Sequence, residues 1–321
     1  MQKTGFDTVS FYMNRRQFLS LAAGLGASAF LENHTNRNTF LGGNTKFYAS
    51  TQDNKNPSDG QDKHTRTLER FSQIMEQARK ERWLSLPMGQ CMGNVGLLLV
   101  GTDYVAGTLE GEGPEICRVD FTGLDCFTFY ENVLCMARIL RKGKTSFEDL
   151  VAEITFTRYR GGRLTDYTSR LHYTSDWIYD NEQKKVVKNI TREIGGEELL
   201  VRVSFMSKNP EYYPALKRNP EFIETIARIE EEINKHQHWY IPKGKIKEAE
   251  KHIQTGDIIA MATSKEGLDY GHTGLAYRDN ERRVRFLHAS QNEKKVILDR
   301  ELYKYIDSVE THIGITIARP L

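Results

Sequence analysis

The hydrophobic rhythm of this chain changes once, and that change limits the folds open to it. From Thr65 the apolar residues fall at helical spacing, with Leu68, Phe71, Ile74, Met75 and Ala78 on one face. A second helix is expected over Leu86 to Leu99. A third is expected from Cys126 to about Arg141, stopped by Gly143. Thr145-Ser-Phe-Glu148 reads as a capping box that opens a helix to about Thr157. Residues 158–180 read as irregular. Asn219, as N-cap before Pro220, opens a strong helix to about Lys235. After that the period shortens to two, and strands are expected over Gly256–Ala262, His272–Arg278 and Arg283–Ala289. Helices first and strands later predict an α+β domain rather than alternating βαβ units.

The ends of this pattern set the organisation. Arg15-Arg16, a short Gly/Ala-rich apolar run and Ala27-Ser-Ala29 have the three parts of an export signal, of the twin-arginine type. Residues 1–30 are therefore expected to direct export to the periplasm or cell envelope, with Met13 as a possible true start. The run is too short to span a bilayer, so no stable membrane insertion is expected once the signal is removed. Residues 31–64 are polar and aperiodic and read as a flexible linker. Residues 65–321 are left as one folded domain. A net charge of +2, with no long basic run, argues against a nucleic-acid partner.

Four cysteines are present, none in a CxxC pair. Cys91, Cys117 and Cys135 read as small buried apolar residues. Cys126 differs because it stands where a loop becomes a helix. Backbone N–H groups and the positive end of the helix dipole favour a thiolate there, and the same N–H groups can hold an oxyanion. Asp125 reads as a cap or turn residue, Glu131 as structural, and Asp257 as fixing the start of a strand. Far downstream, Asp279–Arg282 reads as a hairpin turn between His272 and His288. Symmetric pairing about residue 280 would put the two histidines opposite one another on one face. Nucleophile Cys126, base His272 and orienter His288 then form a catalytic set. No group of His, Cys and Asp has ligand spacing, so neither a metal nor another cofactor is expected.

At these residues the chain resembles the N-acetylmuramoyl-L-alanine amidase-like family, formerly a domain of unknown function, within the NlpC superfamily of papain-like cell-wall hydrolases. The matching motifs are Val105-Ala-Gly-Thr-Leu-Glu110, Asp125-Cys-Phe-Thr-Phe-Tyr-Glu131, Arg170-Leu-His-Tyr173 with Trp177, Tyr240-Ile-Pro-Lys243 and Gly267-Leu-Asp-Tyr-Gly-His272. The chain departs from the family at Phe127, Tyr130 and Thr273, where Val is commoner, and in a longer hairpin between the histidines. The resemblance implies a papain-like NlpC-type fold, with a central antiparallel sheet packed on the helix that presents the cysteine. It also implies hydrolysis of the amide between N-acetylmuramic acid and L-alanine in soluble peptidoglycan fragments, favouring 1,6-anhydro-muropeptides. Tyr104 is implied as an oxyanion donor beside the Cys126 backbone.

Muropeptides carry carboxylates and sugar faces, which arginine forks and aromatic rings recognise. Tyr159, Arg160, Arg163, Arg170, His172 and Tyr173 are accordingly candidate substrate-binding residues. The same stretch reads equally well as a loop stitched down by salt bridges and core aromatics. A stem-peptide endopeptidase, a papain-like acyl transferase and a silent wall-binding module remain as alternatives at this stage.

Overall fold

The computed structural model describes residues 57–200 and 202–321. The export signal and most of the linker read above lie outside them. Helix α1 (Pro57–Lys80) begins eight residues before Thr65, with Pro57 in its first turn, where the missing N–H costs nothing. It is followed by α2 (Met88–Leu98), α3 (Cys126–Arg141), α4 (Phe147–Arg158), α5 (Thr174–Gln183) and α6 (Glu221–Ile233). Among the described residues no helix is long and apolar enough to cross a membrane.

Three local expectations shift. The capping box of α4 is Ser146 with Asp149, one residue later than expected, because the Ser146 hydroxyl accepts from the Asp149 N–H at 3.1 Å. Asn219 does not cap α6. Its side chain donates back to the Ala215 carbonyl at 2.9 Å, closing the preceding short helix, and Pro220 takes the cap position. The stretch 158–180 is not irregular throughout, since α5 fills its second half. The buried face of α5 is largely polar, with Ser175, Asp176 and Asn181 beside Trp177, so hydrophobic periodicity could not reveal it.

The strands form one central sheet in the order β2-β1-β9-β8-β7-β6-β10-β5-β4, with β3 also on β10. The short ones are β1 (Asp103–Tyr104), β2 (Gly123–Leu124), β3 (Val187–Asn189), β4 (Glu197–Glu198) and β5 (Trp239–Pro242). The long ones are β6 (Ile258–Thr263), β7 (Tyr270–Arg278), β8 (Val284–Ser290), β9 (Lys295–Glu301) and β10 (His312–Pro320). All pairings are antiparallel except β1 with β2. The three strands expected from sequence correspond to β6, β7 and β8, whereas β9 and β10 were not anticipated.

Strand alternation sorts residues onto two faces. Leu275 and Leu287 face α2 and α3, in a core with Val95, Phe129 and Leu134. Ala276 and Phe286 face the other way, with Ile259, Ile317 and Ile306. α3 lies on β7 and β8 between α2 and α4, and all but its last residue are buried. A helix enclosed this way is held by its neighbours rather than by propensity, so its first turn is a rigid platform.

Candidate active site

Cys126 is the first residue of α3. Asp125 caps the helix: its carboxylate accepts from the Thr128 N–H at 2.9 Å, and the Thr128 hydroxyl accepts from the Asp125 N–H at 2.9 Å. This reciprocal box fixes where the helix starts and so where the thiol points. Thr273 ties the platform to the sheet, donating its hydroxyl to the Cys126 carbonyl at 3.0 Å. The parallel pair β1–β2 sets Tyr104 beside Leu124, two residues before the cysteine.

Cys126 and His272 both line two adjoining lobes of one cleft, each about 60 Å³. Tyr104 and His312 line the first lobe; His172 and Tyr173 line the second. The four cysteines are all free thiols. Burial pushes the Cys91 thiol up to about 11, and burial also raises Cys117 and Cys135. Those three are inert packing groups, and Cys126 alone of the four reaches the cleft.

The histidines meet, though not by the register expected. β7 and β8 pair Leu275 with Leu287 and Arg278 with Val284, so the hairpin is centred on residue 281 and not 280. The turn is Asn280–Arg282, closed by Asp279 N–H to the Arg283 carbonyl, with Arg282 in the left-handed region at φ 62°. Moving the centre by one residue changes each pairing by two, which keeps side chains on the same face. His272 and His288 are therefore diagonal neighbours, at backbone separations of roughly 7–8 Å that long rings can bridge. His272 Nε2 lies 2.7 Å from His288 Nδ1. A β-bulge between Met261 and Ala262 opposes Tyr270–His272 and re-aims the start of β7 next to the cleft.

A third group extends the line. Asp299, on β9, lies 3.3 Å from His288 Nε2 through one carboxylate oxygen. Ionised Asp299 only accepts, so His288 carries its proton on Nε2 and accepts at Nδ1. His272 must then donate from Nε2, which leaves Nδ1 as its basic nitrogen. The hydrogen bond from His288 is the chief reason the Asp299 carboxyl falls to about 2. Burial, then the neighbouring His288 and His312, push the His272 pKa well down, and burial lowers His288 against the pull of Asp299. Both rings are neutral at pH 7, as a general base must be.

Asp299 was missed because β9 was, and because the β8–β9 ladder slips across Asp299 and Arg300: Leu287 pairs Leu298, but Arg285 pairs Glu301. His312 was also missed. It is buried in the cleft wall, and burial, then Lys243 and Lys265, lower its pKa to about 4.

The candidate substrate-binding residues separate. His172 and Tyr173 are in the cleft. Tyr159 is not: it is fully buried, donating its hydroxyl to Glu115 at 2.9 Å, so it has no face for a ligand. Arg160 is engaged by both carboxylate oxygens of Asp176, at 3.0 and 2.6 Å, and Arg163 is exposed elsewhere. Arg170 is buried against Glu110 and Glu115, in a different cavity. Among the described residues no group of three or more His, Cys, Asp or Glu is placed to hold a metal ion.

The chain is similar to several known proteins. A crystal structure of an N-acetylmuramoyl-L-alanine amidase from Bacteroides uniformis is 31% identical, with a TM-score of 0.69 over 73% of this chain and 99% of that one. A protein from Bacteroides fragilis described as a "putative xylanase" is 34% identical, with a TM-score of 0.66 over 70% of this chain and 98% of that one. A protein from Legionella pneumophila shares the fold, with a TM-score of 0.62 at 22% identity over 81% of this chain and 96% of that one. No match is found among curated proteins. The family model for N-acetylmuramoyl-L-alanine amidase-like proteins matches residues 94–315, which include Cys126, both histidines and Asp299. The chain thus belongs to the N-acetylmuramoyl-L-alanine amidase-like family.

Proposed function

We propose that the protein is a cysteine amidase of the papain-like NlpC type that cleaves the amide between N-acetylmuramic acid and L-alanine in peptidoglycan fragments. The observation that carries the reading is the line Cys126, His272, His288 and Asp299, with Cys126 at a helix start and His272 in the same cleft. The family match and the Bacteroides uniformis amidase support the bond assignment.

In this mechanism His272 Nδ1 takes the Cys126 thiol proton as sulfur attacks the lactyl carbonyl. The developing oxyanion is held by the Cys126 backbone N–H and the Tyr104 hydroxyl. Protonated His272 then gives its proton to the alanine nitrogen, and the peptide leaves as an amine. His272 next deprotonates a water that hydrolyses the thioester and restores the thiol. His288 and Asp299 hold the tautomer throughout, as the carboxylate does in a serine triad. The preferred substrates are soluble 1,6-anhydro-muropeptides, met in the periplasm or cell envelope after export. His172 would cover part of them.

Glycoside hydrolysis, suggested by the Bacteroides fragilis relative, needs two facing carboxyl groups. Among the described residues lining the two lobes the only carboxylate is Asp269, and it is bonded to the Ser175 N–H and hydroxyl at 2.7 and 2.8 Å. Mass spectrometry of a digested anhydro-muropeptide tests the proposal. Free anhydro-disaccharide plus an intact peptide beginning at L-alanine is expected. Cleavage inside the peptide would replace the amidase with an endopeptidase, and transfer to an added amine would make it an acyl transferase.

A further inference from the structure

A second cavity, of about 420 Å³, lies apart from the cysteine and is larger than either lobe of the cleft. It opens between the Gly111–Pro114 loop and the short helix Pro214–Arg218. Tyr167 lines it and packs on His172 at 4.5 Å between ring centroids, so one aromatic pair joins its wall to the cleft. A volume of this size is in the range of small-molecule sites.

Three arginines line the cavity, and two of them are committed. Arg170 is paired with Glu110 at 3.1 Å and Glu115 at 3.2 Å. Arg218 donates to the Gly111 carbonyl at 2.8 Å. The third, Arg118, is 8% exposed, yet among the described residues no acceptor stands within hydrogen-bonding or ion-pairing distance of its guanidinium. The Arg118 backbone carbonyl, by contrast, is fixed by the Arg158 guanidinium at 2.6 Å. Burial lowers the Arg118 pKa, with Glu115 opposing and Arg170 adding to the effect. The Arg118 donors are open to the cavity, where an entering acceptor can meet the whole fork.

We infer that this cavity is a second binding site, for a carboxylate carried on a small organic body, with the Arg118 guanidinium as its anchor. The planar fork of arginine matches a carboxylate through two parallel hydrogen bonds. Pro114, Tyr167 and Phe222 supply an apolar wall for the body of the ligand. Glu110, Glu115 and Asp166 balance the three arginines, so a single added negative charge suits the site better than a phosphate dianion. The inference does not rest on Cys126 being a nucleophile.

The test uses the full chain and four probes: L-alanyl-D-glutamate, its carboxamide counterpart, acetate and inorganic phosphate. Binding is followed by titration calorimetry and by backbone amide shifts at Gly111 and Gly113. The dipeptide is expected to bind more tightly than acetate and to move those amides, equally well in wild type and Cys126→Ala. Arg118→Met should weaken both carboxylates at least tenfold. Gly111→Ala provides a second route, because an added Cβ would lie 2.2 Å from Arg118 Nη2 and must displace the guanidinium without removing it. It too should weaken binding while the melting temperature holds. Three results would each overturn the inference: silent amides at Gly111 and Gly113, carboxylate binding unchanged in both variants, or phosphate or the carboxamide binding more tightly than the dipeptide.

Discussion

Two buried polar networks meet helix α3, and they are built to opposite ends. Five residues into the helix, Glu131 accepts from Arg158 Nε at 2.8 Å and faces Arg158 Nη2 at 2.7 Å, with Trp177 Nε1 at 3.4 Å. Arg158 then closes on the Arg118 carbonyl at 2.6 Å. Burial alone would lower the Arg158 pKa, but Glu131, Cys117 and Tyr159 together outweigh it and the guanidinium stays charged. This network terminates on protein atoms. The line from Asp299 through His288 to His272 starts on protein and ends in a cleft. Similar burial thus closes one network on itself and, in the proposed mechanism, leaves one nitrogen of the other to transfer protons.

That contrast can be broken by mutation. The largest expected effect is at the open end: Cys126→Ala should lower muropeptide hydrolysis by about four orders of magnitude or more, with the melting temperature little changed. Retained turnover would remove Cys126 from the chemistry. In the closed network, Glu131→Ala leaves a buried guanidinium unpaired and should cost about 3–5 kcal/mol of stability, read by urea unfolding. Its folded fraction should keep a normal kcat. Asp299→Ala should lower kcat roughly tenfold to hundredfold, as loss of a partner that orients a histidine does elsewhere, with KM and melting temperature held. A drop in stability with kcat intact would instead make Asp299 a structural residue.

The smallest effect concerns pH. His272, His288 and His312 all have depressed pKa values in the folded chain, His312 at about 4, against roughly 6.5 when unfolded. As pH falls below about 6.5 the unfolded chain takes up protons that the folded chain refuses. Stability should therefore be flat in these groups above that value and decline below it, for His312 until about pH 4. His312→Gln should make the decline shallower in pH-dependent unfolding, and an unchanged slope would exclude His312 from it.

How legible each network was in the sequence follows from the distance along the chain over which its signals act. The start of α3 was readable because the cap or turn residue Asp125 and the apolar helix it opens are adjacent in the sequence. The shared face of His272 and His288 was readable because strand parity survives a two-residue error in register. Asp299 was not readable, because a bulge on β9 breaks the arithmetic that would have paired it. The Glu131–Arg158 pair joins residues 27 apart on different helices, and no local pattern announces such a contact. Arg170 was recognised as an arginine suited to carboxylates, but its partners turned out to be Glu110 and Glu115 of the same chain.

The central claim is that Cys126 attacks the lactyl carbonyl, and acid-quenched intact mass spectrometry during turnover of an anhydro-muropeptide tests it most directly. The account predicts a thioester on Cys126 whose added mass is the saccharide-lactyl portion, because the peptide leaves as the amine. An adduct on Cys126 that carries stem-peptide residues, or an adduct on another side chain, would contradict it.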